Sequence, residues 1–312
     1  MSTFSNYNGY DEMFLGKKVS LPKLNARQQA DLAPVEGNND CLAHYINYSL
    51  SLSASRRFPY FTASNIDGKL FKKASRADNW RRDERIADEH QWGKDLYSAK
   101  KSDFDRGHMT KREDVQWGFS TNQAIKAADS TFFYSNSVPQ HAALNQKIWR
   151  LLEDYILHAE TKERQMRVNV YTGPVLSKKD PLFVTEVQGT SIQIPTLFWK
   201  VVVFMKSDGA LYRAGFMMSQ ESLLKNNDIT ESLRKDDLEA FDEEDEMFKL
   251  FEQADTYQVH VPVIEKLSGI TMPKAEDIYK SDKPLSLFLK EIDVDAEGLG
   301  DELGYSIGNI VL

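Results

Sequence analysis

From Leu144 onward the apolar residues fall at Leu144, Ile148, Leu151, Leu152, Tyr155 and Ile156. Residues repeating at i, i+4, i+7 and i+8 line one side of an α-helix, so the chain must supply a surface against which that side is buried. Just upstream, Thr131 to Ser135 is a β-branched and aromatic run that predicts a strand, and the residues around His108 precede it, separated from it by a polar loop. Strand, loop, strand and helix therefore follow one another. With 312 residues and 41% apolar content the chain can fill one large α+β domain or two modest ones.

The polar residues around that unit carry chemistry. An imidazole with an ordinary pKa of about 6.5 is largely neutral at pH 7, so His108 can accept a proton from water. Arg106 offers a planar, permanently charged fork suited to phosphate. Gly107 adds no side chain that would crowd an approaching phosphate backbone. Taken alone, Asp-Arg-Gly-His also reads as a polar turn. Asn145 opens the helical stretch, as a metal ligand or as the capping residue that Asn favours. Glu153 follows eight residues later, about 12 Å along a helix axis and roughly 80° around it, so the two do not both touch one small ion directly.

Several words occur in a fixed succession: Asp105-Arg106-Gly107-His108, then Ser135-Asn136-Ser137-Val138-Pro139-Gln140, then Asn145, Trp149 and Glu153, then Val170-Tyr171-Thr172-Gly173-Pro174-Val175, Ile194 to Lys200, and Leu267-Ser268-Gly269-Ile270. This succession, covering roughly residues 42 to 273, resembles the DNA/RNA non-specific endonucleases of the ββα-metal superfamily. The resemblance implies an α+β fold with an antiparallel β-sheet core, helices and a ββα-metal active-site motif. It also implies Mg²⁺-dependent hydrolysis of phosphodiester bonds in both DNA and RNA, with 5′-phosphate products and Mn²⁺ as a substitute metal. By the same resemblance His108 is the general base, Asn145 the metal ligand, and Glu153 a residue acting through a water. Asn136 orients the attacking water or the hydration shell, while Pro139 and Gln140 shape the turn into the helix. A phosphate-contacting arginine falls at Arg56-Arg57; on a strand only one of the two faces the site, and Arg57 is favoured. Leu157 stands where some relatives carry a further arginine, which leaves Arg150 to supply that cation.

Net charge is −8, which at first sight opposes phosphate binding. Residues 236–246 alone contribute −8 and residues 275–312 a further −6, so the rest of the chain stands at +6. Its basic stretch, Lys72, Lys73, Arg76, Arg81, Arg82 and Arg85 around Trp80, is placed to follow a nucleic-acid backbone. The acidic run reads as an exposed insertion, or as a phosphate mimic shielding the cleft.

Three segments follow: a lead-in over 1–40, a nuclease domain over 41–274 that includes the acidic insertion, and an extension over 275–312 that docks on the body or on a partner. The lone Cys41 excludes an internal disulfide, and His44, His90, His141, His158 and His260 lack zinc-like spacing. The first residues contain no basic start with an apolar run, and no stretch approaches the roughly 18 apolar residues that cross a bilayer, so a cytoplasmic protein without membrane contact is expected. A nuclease kept with its own nucleic acid requires restraint, by a regulatory protein partner or a homo-oligomer, as in a bacterial anti-phage effector. Alternatives are a catalytically silent nucleic-acid-binding module and a toxin active only in complex.

Overall fold

The computed structural model describes residues 7–73, 75, 77–142, 152–153, 156, 165–231, 247–251, 256–291 and 305–311. Ten strands carry the description: β1 Leu42–His44, β2 Tyr48–Leu52, β3 Pro59–Asp67, β4 Phe104–His108, β5 Ser137–His141, β6 Arg167–Pro174, β7 Leu197–Met205, β8 Leu211–Ser219, β9 Thr256–Val259 and β10 Leu285–Ser286. Two helices matter here, α1 Thr121–Asp129 and α2 Val261–Ser268. The central sheet runs β10-β9-β8-β7-β6-β3-β2-β1, antiparallel at each of these pairings, with Glu276–Asp277 added in parallel beside β8. The antiparallel core expected of an α+β chain is present.

This sheet is buried on both faces. Along β7, Phe198 and Val202 enter one apolar cluster while Leu197, Trp199, Val201 and Val203 enter another, as the two-residue period of a strand requires. The first face packs against the β4–β5 pair through Phe104, Met109 and Val138, and against Leu152 and Ile156. Those last two belong to the apolar stripe read from the sequence; Leu144, Ile148, Leu151 and Tyr155 lie outside the described residues. The opposite face takes α2 and the N-terminal segment, with Tyr10, Phe14, Leu15 and Val19 in the core.

The described segments before β1 and after residue 274 are both stitched into this body. Lys23–Leu24 pairs with Ile270–Thr271, and the side chains of Asn25 and Gln28 donate to the carbonyls of Gly269 and Ser268 at the end of α2. Gly269 adopts the left-handed conformation that ends a helix, with φ of 68°. Past residue 274, β10 extends the sheet edge, Leu287 and Ile307 are buried, and Val311 exchanges two hydrogen bonds with the Gln258 side chain. The acidic run 236–246 lies outside the described residues. Among the described residues no helix is long and apolar enough to cross a membrane.

Candidate active site

Asp105-Arg106-Gly107-His108 lies on a strand, as expected from the order strand, loop, strand and helix. It is most of β4 and pairs antiparallel with β5 in the register Asp105–Gln140, Arg106–Pro139, Gly107–Val138 and His108–Ser137. The second strand lies later than the run Thr131–Ser135 suggested. After α1 the hydroxyls of Ser130 and Thr131 donate to carbonyls three residues back, and Tyr134–Asn136 forms a 3₁₀ turn, so extended backbone begins only at Ser137. Pro139 and Gln140 are thus strand residues rather than a turn. Proline, having no N–H to donate, is tolerated at the edge of this two-stranded ladder.

Alternation sends Arg106 and His108 to the same side as Ser137. The His108 ring lies 4.6 Å from Trp80 and edge-on to Phe132 at 5.1 Å, between centroids. The Arg106 guanidinium sits 5.7 Å from both the Trp80 and Tyr97 rings, and the Tyr97 hydroxyl bonds Ser137 Oγ at 2.9 Å. Arg106 Nε is buried and has no hydrogen-bond partner among the described residues. A guanidinium held on aromatic faces with a donor unspent is prepared for an anionic oxygen.

Gly107 has a different reason from the one expected. A Cβ there would come within 2.2 Å of the Gln140 side chain, so the space beside it is filled by the partner strand and is not kept for a ligand. Asn136 is bonded within the fold. It is fully buried; its Oδ1 accepts from Thr110 N, and its Nδ2 donates to the carbonyls of Thr110 and Thr131. With Met109 N donating to Asn136 O, these bonds clamp the chain immediately after His108. Asn136 therefore holds the segment that follows His108 in place.

Arg56 and Arg57 occupy a turn, not a strand, so strand alternation does not decide between them. Arg56 is spent: its guanidinium bonds Asp180 at 2.6 Å and the carbonyls of Ser177 and Gln193. Arg57 takes a positive φ of 61° and lays its guanidinium 4.3 Å over Trp92, which belongs to the same apolar cluster as Tyr97 and Tyr134. A non-glycine residue held there is strained, a feature that gathers at functional sites.

Glu153 faces the floor of the site. Its Oε1 lies 3.4 Å from Lys200 Nζ, on β7. Asp114, in the segment that follows His108, is also buried, and burial pushes its carboxyl up to about 7 against the pull of Lys200 and Lys111. Neither Lys200 nor Asp114 was singled out from the sequence. The available signal was a lysine inside Phe198-Trp199-Lys200-Val201-Val202-Val203, where a solitary charge must find a partner. Asn145, Trp149, Arg150 and Leu157 lie outside the described residues.

Three arginines of the basic stretch have carboxylate partners within the fold. Arg85 makes a two-pronged pair with the buried Asp83, whose Oδ2 also accepts from Tyr45. Arg81 pairs with Asp129 at 2.7 Å over the Phe133 ring, and Arg82 reaches Asp88 and Asp95. These three arginines hold the fold together. Lys72 is half-buried, Lys73 exposed, and Arg76 outside the described residues.

The family model described as DNA/RNA non-specific endonuclease matches residues 32–277. An uncharacterised protein of Sinorhizobium fredii is 34% identical over 229 residues, 70% of this chain and 33% of that protein. Mitochondrial endonuclease G of Bos taurus is 32% identical over 128 residues, 38% of each chain, and a Nostoc nuclease is 28% identical over 166 residues, 52% of this chain and 54% of its own. The matched segments thus span a third to about half of these relatives. The crystal structure of the EndoG/EndoGI complex superposes with a TM-score of 0.50 at 21% identity, over 74% of this chain and 84% of that one, which is a likeness of fold.

Proposed function

We infer that this chain, which belongs to the DNA/RNA non-specific endonuclease family, hydrolyses phosphodiester bonds in both DNA and RNA. The observation that carries the reading is the pairing of His108 with Arg106 on one side of β4, the arginine seated on aromatic rings with a buried donor unspent. His108 takes the proton from the attacking water, as an imidazole can near neutral pH. Arg106 and Arg57 bind the phosphate and stabilise the charge that builds on its oxygens. Both contacts are to the backbone, and neither requires a 2′-hydroxyl, which supports action on both nucleic acids.

The donors suit a hard cation. Asn145 and Glu153 bring an amide oxygen and a carboxylate, the ligand type that Mg²⁺ takes, with Mn²⁺ accepting the same set. When bound, such an ion supplies Lewis-acid stabilisation of the phosphoryl and leaving oxygens. Asn145 would hold it directly and Glu153 through a water.

The test uses purified protein on plasmid DNA and on RNA, with Mg²⁺ or with chelator, beside His108→Ala. Cleavage that needs the metal and drops by about 10²- to 10⁴-fold in the variant supports the reading. Equal cleavage by both proteins, or none by wild type at any divalent metal, ends it. Restraint by a protein partner belongs to the same proposal, supported by the complex in which the solved EndoG is held with EndoGI.

A further inference from the structure

β7 is apolar on either side of Lys200, and strand alternation directs Lys200 to the face of Phe198 and Val202, beneath the β4–β5 pair and Leu152. Its side chain is 1% exposed, and no other lysine among the described residues is buried. An ammonium taken out of water costs several kcal/mol, roughly, and an apolar residue of similar volume usually serves stability as well or better. Its partners indicate a use. Lys200 pairs across the ladder with Thr172 on β6, and Nζ donates to Thr172 Oγ1 at 2.9 Å while facing Glu153 Oε1 at 3.4 Å. The ammonium is thereby tied to the sheet on one side and to the site carboxylate on the other. Asp114, 4% exposed, adds a second carboxyl to the same pocket of charge.

We infer that Lys200 is a positioning residue: anchored by Thr172, it fixes the Glu153 carboxylate and keeps it aimed at the hydration shell of the divalent ion. The inference rests on the nuclease reading above. Outer partners of a metal site, when removed, cost about ten- to hundredfold in metal affinity. A lysine that only glued helix to sheet would act on stability and leave metal binding alone.

Mn²⁺ binding to the full chain, read by electron paramagnetic resonance, separates the two, with the relevant site defined as the one lost in Asn145→Ala. Lys200→Met and Glu153→Gln should each weaken that site by about tenfold or more, and the double variant should be no worse than Glu153→Gln. Thr172→Val, which keeps both charges but removes the anchor, should weaken it by a few fold and guards against a Lys200→Met chain that fails to fold. Unchanged Mn²⁺ affinity in folded Lys200→Met or in Thr172→Val, or losses that multiply in the double variant, would overturn the inference. So would a wild type without such a site. A wild type that binds Mn²⁺ there yet cleaves neither DNA nor RNA would refute the nuclease reading instead.

Discussion

The segment from Lys72 to Arg85 and the β4–β5 pair both place arginines beside aromatic rings, and they spend them in opposite ways. Arg85 and Arg81 have rings beneath them and carboxylates in front, Asp83 and Asp129, so their charge is answered within the fold. Arg106 has rings but, among the described residues, no carboxylate within ion-pairing distance. An aromatic face supports a guanidinium without competing for its N–H groups, whereas a carboxylate occupies them. Local density of positive charge is therefore a poor guide to where a phosphate binds. Truncation should part the two regions. Arg106→Ala should lower cleavage by about 10²- to 10³-fold, as loss of a preorganised donor does, with little change in melting temperature. Arg85→Ala should do the reverse, because it leaves Asp83 buried and uncompensated at a cost of about 3–5 kcal/mol, while the folded fraction keeps its specific activity. Thermal melts and initial rates on the two variants decide it, and a catalytic defect confined to Arg85→Ala would invert the comparison.

Arg56 and Arg57 repeat the contrast between adjacent residues. Arg57→Ala should cost roughly ten- to hundredfold in kcat/KM, since a hydrogen bond to a charged group contributes about 1.5–3 kcal/mol. Arg56→Ala should instead destabilise the chain, because burial already pushes Asp180 up to about 6 with Arg56 beside it, and removing the cation leaves that carboxyl unpaired. Activity lost from Arg56→Ala at unchanged stability would reverse the assignment.

What the sequence made legible follows the range of the interactions. The burial of Leu152 and Ile156 could be read because helix periodicity is local, whereas the antiparallel sheet was implied only by the resemblance. Asp-Arg-Gly-His could be read as chemistry because the words around it fell in order. Where its partner strand begins could not, since the 3₁₀ turn Tyr134–Asn136 and the reach of Asn136 back to Thr110 delay extended backbone to Ser137. The spent arginines were hidden for the same reason: Asp129 and Asp180 are remote in sequence, although Asp83 inside the segment was a warning. Lys200 was visible as an anomaly in an apolar run, but its partners Thr172 and Glu153 come from two other elements.

Two buried aspartates sharpen the comparison by pH. Asp83 has both oxygens bonded to Arg85, whereas Asp114 has cations near it and is still held up to about 7 by burial. A carboxyl whose pKa is higher folded than unfolded binds its proton more tightly in the native state. Its contribution to stability is then whole below the ordinary carboxylate range and is lost as pH rises from about 4 through about 7. Asp114→Asn removes that loss. Its melting temperature should exceed the wild-type value by a few degrees at pH 8 and converge on it toward pH 4. Parallel curves would mean that Asp114 is ionised throughout, with Lys200 and Lys111 fully compensating it.

The smallest effect concerns Arg82, paired with Asp88 and Asp95 at the surface, where both carboxylates are well exposed. Such pairs contribute about 0–1 kcal/mol, so Arg82→Ala should leave the melting temperature nearly unchanged. It should also leave the salt dependence of DNA binding unchanged, because a guanidinium already shared between two carboxylates releases few counterions when DNA arrives. Each phosphate contact accounts for a slope of about −0.9 in log affinity against log salt, so Arg106→Ala should flatten the line by about one unit and Arg82→Ala by none. Replacing Lys72 and Lys73 together tests what remains of the basic stretch. A flattening of about two units would show that its lysines track the backbone. No change would confine phosphate contact to the β4–β5 side of Trp80.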